Sequence, residues 1–312
     1  KYFDLNDGFW DKRIAETLSV NGTYYFVNSL NTPISTGYML YYSKSIFNAS
    51  GVKTPLEYYQ EGTWSWENLK KAAKDVTTAG YKGAIVDPMM LAGQMGATII
   101  DYDPKTGKFS GDATNKDFIK AMQYYSTGYE DGIFYNQLAS HFRFGGIGMT
   151  MLGTYSLKND GSLKNMLPSD IGVVPLPTTY EGKKLEYFPA GMRGYGIAKG
   201  AENPQAAYYM LRYFLDLDKY EPAGANMFAN KKLEKYYRET HLPLYQTSKM
   251  HWEHYCEPLM IINARWDTPQ GKWTAVRNAA TGQIAVELSK RANIIQNAVD
   301  QANQKIKDFA SR

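Results

Sequence analysis

The sequence predicts an α/β fold built as lobes, and three observations carry that expectation. Strand-to-helix units recur through the first two thirds of the chain, and helical patterns dominate the last third. The length of 312 residues, with 44% hydrophobic and 21% charged residues, suits two modest domains or one large one. The clearest unit runs from Gly37 to Lys71, GYMLYYSKSIFNASGVKTPLEYYQEGTWSWENLKK. Its aromatic and β-branched opening reads as a strand, SKSIFNAS as a helix that Gly51 stops, and Ser65 as the cap of a new helix. That helix carries Glu67 in its first turn and sets Trp66, Leu69, Ala73 and Val76 on one face.

Before this unit, a helix is expected around Phe9 to Thr17, followed by a hairpin in SVNGTYYFV whose turn uses Asn21 and Gly22. Residues 28–36, NSLNTPIST, are polar and proline-broken, as a passage between lobes would be. After it come a strand at Gly83 to Val86 and a methionine-rich helix whose Met89, Met90 and Met95 suit either core or pocket lining. Asp101 to Phe109 superficially resembles a calcium loop, but Lys105 and Thr106 stand where an oxygen ligand and a glycine are needed, so a hairpin turn is expected. Thr114 is the expected cap of a helix striped by Phe118, Ala121, Met122 and Tyr125. GGIGMTML (145–152) reads as a buried strand, ended by Gly153-Thr-Tyr before a helix from about Ser156, and IGVVPLP as the next strand. The turn EGKK and the glycine-rich FPAGMRGYGIAKG follow, the latter suited to a second crossing. Asn203-Pro204 opens a helix carrying Ala207, Met210, Leu211, Phe214 and Leu215. Helical patterns then run to the end, broken at HLPLY and WDTPQGK, with a final helix from about Gln283 to Phe309.

Charge and composition narrow the function. A net charge of +4 from 35 basic and 31 acidic residues, with the basic ones scattered, gives no argument for nucleic acid. The longest apolar runs fall well short of the roughly 20 residues of a membrane span, and no signal-peptide pattern is present. The chain begins at Lys1 without an initiator methionine, so any signal peptide or lipid-anchor cysteine would lie upstream of it. Cys256 has no second cysteine to pair with in this sequence, which fits a receptor that folds without disulfides and equally a cytoplasmic protein. The 26 tyrosines and 6 tryptophans exceed ordinary core needs. Their flat apolar faces and polar edges match sugars, although each ring taken alone also suits ordinary packing. Catalytic signatures are missing: there is no Gly-x-Ser-x-Gly elbow and no GxxxxGK[ST] loop, and Glu130-Asp131 point apart at a helix end. His251 and His254 could share a helical face beside Cys256, but the cluster lacks a known zinc spacing, and no metal or cofactor is expected.

The Gly37–Lys71 stretch resembles the "Tyr, Asn/Ser, Lys, then Gly, Pro, Thr-Trp and a helix" segment of family 1 extracellular solute-binding proteins, the substrate receptors of ABC importers. FGGIGMTMLGTYSL, DIGVVPLPTT, AGMRGYGIAKGAENPQAAYYMLRYFL and GKWTAVRNAATGQIAVEL resemble later elements of that family in the same order, from about Asn21 onward. The resemblance implies a periplasmic-binding-protein-like α/β fold, two α/β lobes joined by a multi-strand hinge, with ligand held in the cleft and closure by hinge bending. It implies crossings near residues 28–37, 190–194 and 241–244, hence an N-terminal lobe of residues 1–37 and 193–241 and a C-terminal lobe of 38–192 and 242–312. Family members begin with a strand, helix and strand that nothing before Lys1 supplies. The N-terminal lobe is therefore expected to be incomplete in this chain, with Tyr24, Phe26, Tyr195 and Ile197 awaiting sheet partners.

The resemblance further implies a non-enzymatic sugar receptor, for an oligosaccharide, that delivers ligand to ABC transporter permease subunits. A monomer is expected, held at the surface of a Gram-positive bacterium through an upstream lipid anchor, or periplasmic. Tyr155 follows Gly153-Thr154 at a strand end, where similar proteins place an aromatic platform under the sugar and where open α/β sheets hold ligands. Trp273 matches a second platform, with Trp266 as its nearby competitor. Asn28, Ser29 and Asn31 at the first crossing, Asp87 after a strand and Arg193 at the second crossing are polar candidates that could equally satisfy hinge backbone. Two other readings stay open: a glycoside hydrolase using the same aromatics, and a receptor for a non-sugar polar solute.

Overall fold

The computed structural model describes residues 3–30, 36–135, 142, 145–158, 161, 163–164, 166–167, 169–191, 194–216, 228–252 and 281–310. Its centre is a mixed seven-stranded sheet assembled on β1 (Thr36–Ser43). β1 pairs antiparallel with β6 (Ile147–Gly153), with β7 (Ile171–Val174) at its far half and with β10 (Tyr187–Gly191) at its start. β2 (Lys82–Ile85) lies parallel to β6 and to β5 (Phe134–Tyr135), and β11 (Lys249–Trp252) lies parallel to β10.

The aromatic run of β1 is explained by burial on both faces. Alternate residues point to opposite sides of a strand, so Leu40 and Tyr42 enter one core while Met39 and Tyr41 enter another. The first core is capped by α4 (Trp66–Thr78), α5 (Pro88–Gln94) and α6 (Lys116–Glu130). Ser65 caps α4 as expected, its hydroxyl accepting from the Asn68 N–H, and Gly51, in the left-handed region at φ 63°, ends α2 (Lys44–Ser50). Met89 and Met90 are buried in this core, so the methionine-rich helix is packing rather than lining.

The second face is covered by Ile14 of α1 (Lys12–Thr17) and by residues 228–245, including Leu233, Tyr237 and Tyr245. A third, smaller core gathers Trp10, Ala15, Val27 and Leu215, with Tyr208 and Leu211 of α7 (Pro204–Phe214) beside it. Asn203 caps α7 with Pro204 at its first turn, as its sequence predicts. The helix nevertheless leaves Tyr209, Met210, Tyr213 and Phe214 exposed.

Asp101 to Phe109 forms the expected hairpin, β3 (Ile100–Asp103) and β4 (Lys108–Gly111). Its outer strand is held by Asn303, whose side chain accepts from Phe109 N–H at 2.7 Å and donates to Phe109 C=O at 2.9 Å. The Tyr102 hydroxyl donates to the Ser19 carbonyl at 2.7 Å, beside the turn in which Asn21 (φ 50°) and Gly22 (φ 74°) take positive angles.

Several boundaries differ from the sequence reading. Asn115, not Thr114, caps α6, because its Oδ1 accepts from the Phe118 N–H at 2.9 Å while the Thr114 hydroxyl turns back to Asp112. Asn115→Ala is expected to cost about 1 kcal/mol, whereas Thr114→Ala leaves α6 capped, and paired urea titrations check the contrast. In place of the α-helix expected from Ser156, residues Thr154–Leu157 form a single 3-10 turn. HLPLY does not end its helix. Between α8 (Lys231–Tyr236) and α9 (Leu242–Thr247) the backbone widens into a π-helical turn, Tyr237–His241, which makes room for the ring of Pro243. The final helix is two, α10 (Ile284–Ser289) and α11 (Ala292–Ala310), parted by a tight turn at Lys290-Arg291 that lets Ile284, Leu288, Ile295 and Val299 all reach the first core.

Candidate functional site at the carboxyl edge of the sheet

Strand directions decide where the side chains gather. β2, β5, β6, β10 and β11 run antiparallel to β1, so their carboxyl ends meet the start of β1 along one edge. In α/β sheets this is the edge that holds ligands, because strands end there and loops with free side chains begin.

Tyr155 stands on this edge, immediately after β6. Thr154, Ser156 and Leu157 are buried and anchor the 3-10 turn, while the Tyr155 ring remains 45% exposed. Partial burial raises its phenol above the usual range. Tyr38, directly opposite Gly153 in the β1–β6 register, brings a second ring to the same place. Nothing in the sequence singles out Tyr38, because only the register makes it a neighbour of the β6 end.

Asp87 follows β2 on the same edge and caps α5, its Oδ1 accepting from the Met89 N–H at 3.0 Å. Asn28 and Ser29 serve the backbone of the first crossing. The Asn28 side chain accepts from the Ser29 N–H at 2.8 Å, and the buried Ser29 hydroxyl donates to the Leu215 carbonyl at 3.0 Å. Asn31, Arg193, Trp266 and Trp273 lie outside the described residues, as do His254 and Cys256. The structure therefore places Tyr155 and Asp87 on one sheet edge and adds Tyr38.

Behind the edge lies a polar pair in an apolar setting. The buried Tyr41 hydroxyl hydrogen-bonds His241 Nε2 at 2.9 Å, with the Tyr237 ring stacked against the imidazole. Burial lowers the His241 pKa to about 3, so the ring is neutral, and pushes the Tyr41 phenol well up. Asp11 and Arg13 form a two-pronged ion pair, 2.8 and 2.7 Å, and the guanidinium also donates to the carbonyls of Tyr245 and Ser248. This fixes α1 to the segment that leads into β11.

Among the described residues no group of three or more His, Cys, Asp or Glu side chains could hold a metal. Asp131 ends α6 and pairs with Lys70 at 2.9 Å, so the adjacent carboxylates of Glu130-Asp131 are not set up to flank a glycosidic bond. Among the described residues no helix is long and apolar enough to cross a membrane.

A family model of bacterial extracellular solute-binding proteins matches residues 2–225. The fold is shared with solved structures at low identity. The lacto-N-biose-bound galacto-N-biose/lacto-N-biose I-binding protein of a Bifidobacterium longum ABC transporter superposes with a TM-score of 0.61 at 12% identity, covering 95% of this chain and 75% of that one. The GacH receptor of Streptomyces glaucescens, solved unliganded and with acarbose, gives 0.57 at 17% identity, over 97% and 77%. UgpB of Mycobacterium tuberculosis, in complex with glycerophosphocholine, gives 0.58 at 16% identity, over 94% and 76%. No curated protein matches the sequence.

Proposed function

This chain belongs to the bacterial extracellular solute-binding proteins, and from that premise we propose that it captures an oligosaccharide in a cleft between two lobes and passes it to an ABC transporter permease. The observation that carries the sugar reading is the half-exposed Tyr155 ring, set on the carboxyl edge of the sheet by a buried 3-10 turn. A rigid aromatic face at the ligand edge suits the C–H face of a pyranose. Relatives of the same fold were solved with acarbose and with lacto-N-biose, which supports the same class of ligand.

In this reading the large sheet with its two cores is the body of the C-terminal lobe, residues 38–192 and 242–312. The small core around Trp10 belongs to the N-terminal lobe, residues 1–37 and 193–241, with its later part, from residue 228, folded back onto the large sheet. Tyr155 and Trp273 are the two ring platforms, Trp266 is the alternative to the second, and Arg193, Asp87 and Asn31 supply polar contacts. The receptor works as a lipid-anchored extracellular monomer and performs no chemistry on its ligand.

Calorimetric titration with starch-, chitin- and plant-derived oligosaccharides tests this. Saturable binding with no reducing ends released over time is the expected result; release of reducing ends would sink the receptor reading in favour of a glycoside hydrolase. Tyr155→Ala and Trp273→Ala are each expected to weaken binding roughly tenfold or more, the equivalent of about 1.4 kcal/mol of stacking. The glycerophosphocholine complex of one relative favours a second reading, a receptor for another polar solute. Binding of glycerophosphodiesters with indifference to every sugar would select it.

A further inference from the structure

Gly153 ends β6 with φ −76° and ψ 163°, extended angles that any residue adopts, so its backbone does not call for glycine. The space above its Cα does. A Cβ built there would lie 2.7 Å from Cε1 and 2.8 Å from Cδ1 of Tyr155, and 3.7 Å from Cζ of Tyr38. The Cδ1–Cε1 edge of the Tyr155 ring thus fills the space above the bare Cα of Gly153, with the Tyr38 ring, from the facing position of β1, beside it. The first two distances are shorter than any real carbon contact, whereas the third is ordinary van der Waals separation.

Either the ring or the backbone must yield to a side chain at position 153. The backbone is pinned, because Thr154, Ser156 and Leu157 are buried and β6 is paired with β1 from Met149 to Gly153. The Tyr155 ring is half exposed and held outward only through its hydroxyl on the Ser156 side chain, so of the two it is the part that is displaced.

We propose that Gly153 is a positioning residue for the ligand platform: its missing side chain gives the edge of the Tyr155 ring a seat on the sheet beside Tyr38, which holds the ring's face in one orientation for the C–H face of a sugar ring. The proposal rests on the carbohydrate-binding reading above. A methyl group at position 153 pushes the ring off this seat and turns its face away while leaving the fold in place.

The test uses Gly153→Ala, Tyr155→Ala and the double variant, each probed by calorimetry with maltotetraose and chitotetraose. For whichever probe the wild type binds, Gly153→Ala is expected to lose tenfold or more in affinity with its melting temperature within a few degrees of the wild type. Added to Tyr155→Ala, it should cost less than about twofold further, since it acts only through that ring. An equal loss in both backgrounds overturns the proposal. A ligand-free arm decides the structural half: a crystal structure of Gly153→Ala should show the Tyr155 ring displaced, and a ring still lying over residue 153 overturns it. If Tyr155→Ala binds like the wild type, or neither probe binds the wild type, the sugar-platform reading fails, while the ring position in Gly153→Ala still decides whether residue 153 sets it.

Discussion

Trp66→Ala is expected to lower stability by about 4 kcal/mol. Trp66 opens α4, is fully buried, and its ring packs at 4.4 Å from that of Tyr180 and 4.8 Å from that of Tyr124. Its indole N–H donates to Gln94 Oε1 at 3.2 Å, and Gln94 in turn donates to the Pro177 carbonyl at 2.6 Å. Removing the indole therefore does two things. It empties a volume that the paired strands and α6 cannot close, and it strands the buried Gln94 carbonyl oxygen, a loss of about 1 to 3 kcal/mol by itself. Water entering the space offsets part of the second term, so the two do not simply add. Urea unfolding followed by circular dichroism reads the result, and a loss below about 1 kcal/mol would show that the site collapses and that the aromatic cluster is not cooperative. Trp66→Phe keeps most of the ring and should cost clearly less.

Acidification is expected to destabilise the protein through His241. The ring is buried against Tyr41 and Tyr237 and stays neutral in the fold down to pH about 3, while in the unfolded chain it takes a proton near its ordinary value of about 6.5. A folded-state pKa below the unfolded one means that the stabilisation is complete above about pH 6.5 and is lost progressively as pH falls from there toward 3. The slope is about 1.4 kcal/mol per pH unit, so roughly 2 kcal/mol disappears between pH 7.5 and pH 5, before most carboxylates titrate. His241→Phe should flatten the pH dependence over that interval whatever it does to stability at neutral pH. A wild-type stability that is constant from pH 7.5 to 5 would contradict a buried neutral imidazole.

Local chemistry made most of the elements legible. Ser65 before Trp66, Gly51 after a short helix and Asn203-Pro204 each act through their own backbone neighbours, and the structure places all of them where the sequence indicates. The misread boundaries are those settled by competition or by distant partners. Thr114 and Asn115 are both good caps, and Asp112 decided between them by engaging the threonine hydroxyl. In sequence Pro243 reads as a breaker because a proline ring clashes one turn back, yet the π turn relieves that clash under the packing of Tyr237 and His241. Of the site, Tyr155 could be found because it follows a glycine-ended strand, a local signal. Tyr38 could not, since its place beside Tyr155 exists only through the β1–β6 register, and register is a property of the assembled sheet.

The hairpin β3–β4 joins parts of the chain that are made far apart in time. Tyr102 reaches back to Ser19, and Phe109 is held on both backbone groups by Asn303. A polypeptide emerging from the ribosome can form the turn at Asn21-Gly22 and the hairpin early, but the asparagine that fastens the hairpin arrives only with the last helix. The first core likewise waits for Ile295 and Val299. The final helix is therefore a point where truncation undoes a hairpin that closes 194 residues earlier in the chain, and leaves the first core open on the side that Ile295 and Val299 cover.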